Sequence, residues 1–133
     1  MTQEDKNLLL IDLCARLPYG VKVWYKYYPT NITKQFATSI RLADNKIALS
    51  TKLNKEGDWH PIEEANEFLI KPYLRPMSSM TDEELDEYEE LEWSGDFENL
   101  SLPLLDWLNK NMFDYRGLIP MGLALEAPEG MYN

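Results

Sequence analysis

The residues best suited to chemistry in this chain are few. His60 is the only histidine. General acid–base catalysis draws on histidine, but the imidazole needs a partner within hydrogen-bond reach. His60 sits in Asp58-Trp59-His60-Pro61, a loop or strand-start context with no catalytic signature around it, and reads as a surface or half-buried loop residue. Cys14 is the only cysteine and could in principle act as a nucleophile with His60. Its position is the apolar face of the first expected helix, where a thiol behaves as a small inert hydrophobe. Asp44-Asn45 and Glu56-Gly57-Asp58 are too sparse for a calcium loop. Gly117 to Gly122 is spaced like part of a phosphate loop, but no Lys-Ser/Thr follows. No catalytic residue, metal ligand or cofactor is expected.

Two charged stretches say more. From Asp82 to Glu98 the sequence holds ten acids and no Lys or Arg. Self-repulsion among so many carboxylates costs stability unless something offsets it. Such a face can meet a basic partner, even imitating a nucleic-acid backbone, because electrostatics dominates phosphate recognition. A plain solvated helix face is the competing reading. The candidate partner-binding residues are Asp82, Glu83, Asp86, Glu87, Glu90 and Trp93. The second stretch is Lys22, Trp24, Lys26 and Tyr28, which project to one side of an expected strand, with Arg41, Lys46 and Lys52 on the same outer face. Basic residues interleaved with aromatics suit single-stranded nucleic acid, since bases stack on the rings. An amphipathic sheet, or a dock for the acidic helix, would look the same.

Composition bounds what can hold these residues in place. The chain has 133 residues, is 44% hydrophobic and 27% charged, and carries a net charge of −10. That is a globular composition of single-domain size, with a core that needs no metal or disulfide. The overall charge opposes nucleic-acid binding. Residues 1–60 hold nine Lys/Arg against six Asp/Glu, whereas residues 61–133 hold four against seventeen. One cysteine permits no intramolecular disulfide, so a reducing compartment is expected. The apolar stretch behind the N-terminus is short and broken by Asp12, unlike a signal peptide, and no apolar run is long enough to span a membrane. A cytoplasmic protein is expected.

The elements follow from periodicity. A helix is expected from Gln3 to Arg16, capped by Thr2 with Asp5 three residues on, and ended by Pro18 and Gly20. Its apolar face is Leu8, Leu9, Ile11, Leu13 and Cys14. Period-two alternation marks a β region over 21–75. Its strands are Val21 to Tyr28, Ile32 to Leu42 with Phe36, Ile40 and Leu42 on one face, and Lys46 to Leu53 with Ile47, Leu49 and Leu53 inward and Lys46, Ser50 and Lys52 outward. Asp44-Asn45 is a two-residue hairpin turn, Asn54 to Asp58 a loop, and Phe68 to Lys71 an edge strand before Pro72. Residues 79–112 read as helical. Thr81-x-x-Glu84 is a capping box followed by a narrow stripe of Leu85, Tyr88 and Leu91 or Glu92. Ser101 caps a second helix to about Asn111, with Leu104, Leu105, Leu108 and Met112 on one face. The tail, 113–133, is apolar yet rich in Gly and Pro, so it is extended, and it covers its own core or a second copy in a homodimer. The whole is α+β, with an SH3-like barrel as the specific expectation for the bent sheet.

Three strings carry a resemblance: Leu13 to Val21 (LCARLPYGV), Lys71 to Thr81 (KPYLRPMSSMT) and Asp114 to Pro128 (DYRGLIPMGLALEAP). Together they resemble a family of small uncharacterised proteins frequent in gut bacteria of the Bacteroides type and in their phages and mobile elements. The resemblance implies a bacterial or phage cytoplasm and an accessory role, and brings no activity or cofactor. The expectation is a non-enzymatic binding protein that engages a protein partner through its acidic, aromatic-bearing surface. The alternatives are a nucleic-acid-binding module using the basic strand, or a structural protein.

Overall fold

The computed structural model describes residues 2–27, 35–51, 57–93 and 102–132. Helix α1 (Gln3–Arg16) starts at the expected capping box: the Asp5 N–H donates to Thr2 Oγ1 at 3.0 Å, and the Thr2 N–H donates to Asp5 Oδ2 at 3.3 Å. A 3₁₀ turn (Leu17–Tyr19) and Gly20, at φ 80°, then redirect the chain. The buried stripe of α1 is Leu9, Asp12, Leu13 and Arg16. That spacing puts Ile11 and Cys14 on the outer face: Ile11 is 57% exposed and Cys14 is exposed, so neither is the core residue expected.

Among the described residues eight strands follow in three small sheets: β1 (Val23–Tyr25), β7 (Ile70–Leu74) and β8 (Leu125–Glu126); β2 (Phe36–Arg41), β3 (Lys46–Ser50) and β4 (Asp58–Pro61); and the hairpin β5 (Glu63–Glu64) and β6 (Glu67–Phe68). The first two are stitched together. The Val23 N–H donates to Gln35 O and the Ala37 N–H to Val21 O, both at 3.0 Å, so β1 lies between β2 and β7. Among the described residues this bent sheet does not close into a barrel. The α+β class holds and the SH3-like closure does not.

Several local expectations are corrected by long-range pairing. Thr38 is a bulge, since Ala37 pairs with Leu49 and Ser39 with Ala48. The extra residue brings Ala37 and Ile40 to the core side together, leaves Phe36 half-buried, and leaves Leu42 62% exposed. The β2–β3 loop is four residues, Leu42 to Asn45, rather than two, with Asn45 at φ 52°. β3 is a central strand buried on both faces, so Ser50 is inside rather than outside. Leu53, Lys52 and most of the following loop lie outside the described residues. β7 is no edge strand. It runs through Pro72 between β1 and β8, and the alternation of its ladder turns the proline nitrogen away from β1, one residue before β8 pairing begins. β8 runs parallel to β7, and the tail otherwise forms turns rather than an extended arm.

Helices α2 (Asp82–Trp93) and α3 (Leu102–Lys110) pack beside one another. Ser101, the expected cap of α3, lies outside the described residues. The exit from α3 is a Schellman-type turn: Phe113 N–H donates to Leu108 O and Met112 N–H to Asn109 O. Met112 holds the left-handed position there at φ 61° while fully inside the core. Phe113, Leu118, Leu123 and Ala124 of the tail are buried, so the tail covers its own core. The three strings quoted above converge here. Arg75 N–H donates to Met112 O (2.7 Å), Asp114 N–H donates to Arg75 O (2.8 Å), and Arg16 Nη2 donates to Phe113 O (2.7 Å).

Candidate partner-binding surface

Thr81 opens α2 through the expected box: Glu84 N–H donates to Thr81 Oγ1 (3.1 Å) and Thr81 N–H donates to Glu84 Oε1 (3.0 Å). Asp82, Glu83 and Glu84 fill the first turn, where the helix dipole favours carboxylates. Arg75 then grips Glu84 with both arms, Nη1 to Oε2 at 2.8 Å and Nη2 to Oε1 at 2.6 Å. That guanidinium, helped by the Thr81 amide and opposed by partial burial, holds the Glu84 carboxyl down at about 2. The clamp ties the start of α2 to the end of β7.

The acids of α2 therefore divide. Glu84, Tyr88 and Leu91 form the half-buried inward stripe, with exposed Glu87 at its edge. Tyr88 and Leu91 pack on Leu104, Leu108 and Phe113. Trp107 stacks on Phe113 with ring centroids 5.4 Å apart, and its Nε1–H donates to Glu87 Oε2 at 2.8 Å. Asp82, Glu83, Asp86, Glu89 and Glu90 are exposed and form no ion pair among the described residues. Leu85, expected on the apolar stripe, sits among them at 43% exposure. Of the residues singled out from sequence, Asp82, Glu83, Asp86 and Glu90 share this outer face, Glu87 is turned to a structural partner, and the Trp93 side chain lies outside the described set. The row Asp82, Asp86, Glu90 and the pair Glu83, Glu87 repeat like charge at i,i+4, a cost of about 1 kcal/mol for the three pairs.

The basic strand is spent on the fold. Lys22 Nζ donates to Met131 O at 3.0 Å and lies over the Phe36 ring, 5.1 Å from its centroid. Lys26 pairs with Glu67 at 2.7 Å and Arg41 with Asp44 at 2.7 Å, while the Arg41 guanidinium covers Trp59. Trp24 is half-buried, and Tyr28 lies outside the described residues. The acidic helix packs on α3 and Arg75, so the strand is not its dock.

Sequence reasoning missed a buried ion cluster. Asp12 accepts from Arg16 Nε and Nη2, both at 3.0 Å, and from Arg116 Nη1 at 2.8 Å. Asp12 and Arg16 are both fully buried. Their i,i+4 spacing on a helix was the available signal; Arg116, 104 positions away, left none. His60 lies in β4 against the Tyr25 ring (5.0 Å), and burial pulls its pKa below the ordinary histidine value. Partial desolvation raises the pKa of Cys14, the opposite of an activated thiol. No group of three His, Cys, Asp or Glu positioned for a metal occurs among the described residues. No helix among them is long and apolar enough to cross a membrane. Comparison with protein-family models, with curated proteins and with solved structures finds no match.

Proposed function

We propose that the chain is a non-enzymatic accessory protein, of the type carried by phages and mobile elements of gut bacteria, that binds a basic protein partner through the outer face of α2. One observation carries this reading. The helix uses Glu84 and Glu87 to hold the fold, yet keeps Asp82, Glu83, Asp86 and Glu90 exposed and without ion pairs among the described residues. Asp82 and Glu83 suit the helix dipole, but Asp86 and Glu90 add like-charge repulsion and return nothing to the described fold, which is the pattern of a surface kept for something else. Exposed Leu85 adds an apolar contact at its edge. A second copy does not suit this face, because like charges would meet. Nucleic-acid binding by Lys22, Trp24, Lys26 and Tyr28 draws less support, since both lysines already serve contacts within the chain.

The test is capture from bacterial lysate on the immobilised full chain, with and without nuclease, read by mass spectrometry. A single protein retained in near-equal amount after nuclease is expected. Retention that vanishes with nuclease would move the function to the basic strand.

A further inference from the structure

A cavity of about 390 Å³ lies between the C-terminal tail and the approach to α2. Arg75, Pro76, Ser79 and Thr81 form one wall, and the chain from Glu126 to Tyr132 forms the other. The second wall is a strap pinned at both ends. Ala127 N–H donates to Leu74 O at 2.7 Å; at the far end Lys22 Nζ donates to Met131 O at 3.0 Å, and Tyr132 O–H donates to Tyr73 O at 2.7 Å. Between the pins, Met131 N–H closes on Pro128 O at 3.1 Å and Gly130 takes φ 83°. The strap bows off the sheet there and leaves the space beneath it.

The lining decides what chemistry fits. Arg75 is the only cation among its described lining residues, and the guanidinium is turned to Glu84 and the Ser79 carbonyl. Glu126 and Glu129 are exposed at the wall and form no ion pair among the described residues. Ser79 Oγ donates to Pro76 O and Thr81 Oγ1 accepts from Glu84, so the hydroxyl hydrogen of Ser79 is committed inward and lone pairs remain. Pro76, Pro128 and Met131 supply apolar wall. A cavity that offers carboxylates and acceptors over an apolar lining suits an unbranched aliphatic stem ending in a donor-rich cation. An anion would meet the two carboxylates on the wall, and the Arg75 guanidinium is already held by Glu84.

We propose that this cavity receives a lysine side chain from the partner's basic segment. The inference rests on the reading that the partner is a basic protein, and it adds the specificity site for that partner. Thr81 joins the two: it lines the cavity and caps the helix whose next residues are Asp82 and Glu83. The segment would lie across the first turn of α2 and lower one lysine under the strap.

The test uses isotope-labelled full chain in amide NMR titrations with two capped octapeptides at slightly acidic pH. One alternates lysine and serine; the other replaces each lysine by diaminobutyrate, which keeps the charge and shortens the stem. Both peptides should shift the amides of the first turns of α2. Only the lysine peptide should shift Gly130 and Met131, and the E126Q/E129Q variant should bind it roughly three- to tenfold more weakly. Shifts at α2 with Gly130 and Met131 unmoved, or moved equally by both peptides, would overturn the lysine site and leave the α2 surface standing. Silence at both places would overturn both.

Discussion

Replacing Asp12 by alanine should be the most damaging single change away from the apolar core. Its carboxylate is fully buried and receives three charge-assisted hydrogen bonds, two from Arg16 and one from Arg116. Arg16 is itself fully buried, and its Nη1 already lacks a partner among the described residues. Asp12→Ala leaves that guanidinium in the interior with the Phe113 carbonyl and the face of the Tyr115 ring but no counter-charge among the described residues. Removing one member of a buried pair costs about 3–5 kcal/mol. For a chain of this size that corresponds to a fall in Tm of about 10–20 °C. Arg116 contributes less to the loss, because it is 20% exposed and can turn to water. The double variant Asp12→Leu with Arg16→Met removes both buried charges, so it should be more stable than the single by about 1 kcal/mol or more, as buried pairs exchanged for apolar residues generally are. Urea and thermal melts followed by circular dichroism measure both. A loss under about 1 kcal/mol for Asp12→Ala would refute the reasoning, as would a double variant less stable than the single.

Three further outcomes are expected. The folded carboxyl of Glu84 lies at about 2, below its ordinary 4.5, so the stability it contributes is present above pH 4.5 and is lost as pH falls towards 2. Melts across that window should fall more steeply for wild type than for Glu84→Gln, and parallel curves would contradict the Arg75 clamp. Tyr132→Phe removes the hydroxyl that donates to Tyr73 O and accepts from Lys22 N–H, a loss of about 1–3 kcal/mol by urea melt. Gly57→Ala places a Cβ against the backbone carbonyl of Leu49 in central strand β3, so a loss of at least about 1–3 kcal/mol is expected, again by urea melt.

What the sequence made legible was local. The capping boxes at Thr2 and Thr81 close over three residues, and both form as read. The helical period likewise places Asp82, Glu83, Asp86 and Glu90 on one face without knowledge of the rest. Distant partners were not legible. Glu84 and Glu87 look like their neighbours until Arg75 and Trp107 are placed beside them. Cys14 and Ile11 look like core residues until Asp12 and Arg16, a polar pair, claim the buried stripe. The bulge at Thr38 inverts the reading of β2, and no turn residue marks it. Pro72 argued for an edge, because the parallel pairing with β8 comes from a segment some fifty positions later.

The most direct test compares the affinity of a captured partner for wild type and for the Asp82→Lys, Glu83→Lys, Glu90→Lys variant at low and moderate salt. These three side chains hold no ion-pair partner within the described fold, so the melt should show only the lost helix-dipole interaction of Asp82 and Glu83, about 1–2 kcal/mol, while affinity falls. Binding to wild type should also weaken as salt rises. Loss of about a hundredfold is expected if each reversal removes an attraction and adds a repulsion of about 1 kcal/mol in total. A variant that keeps full affinity, with binding indifferent to salt, would contradict a partner surface on α2.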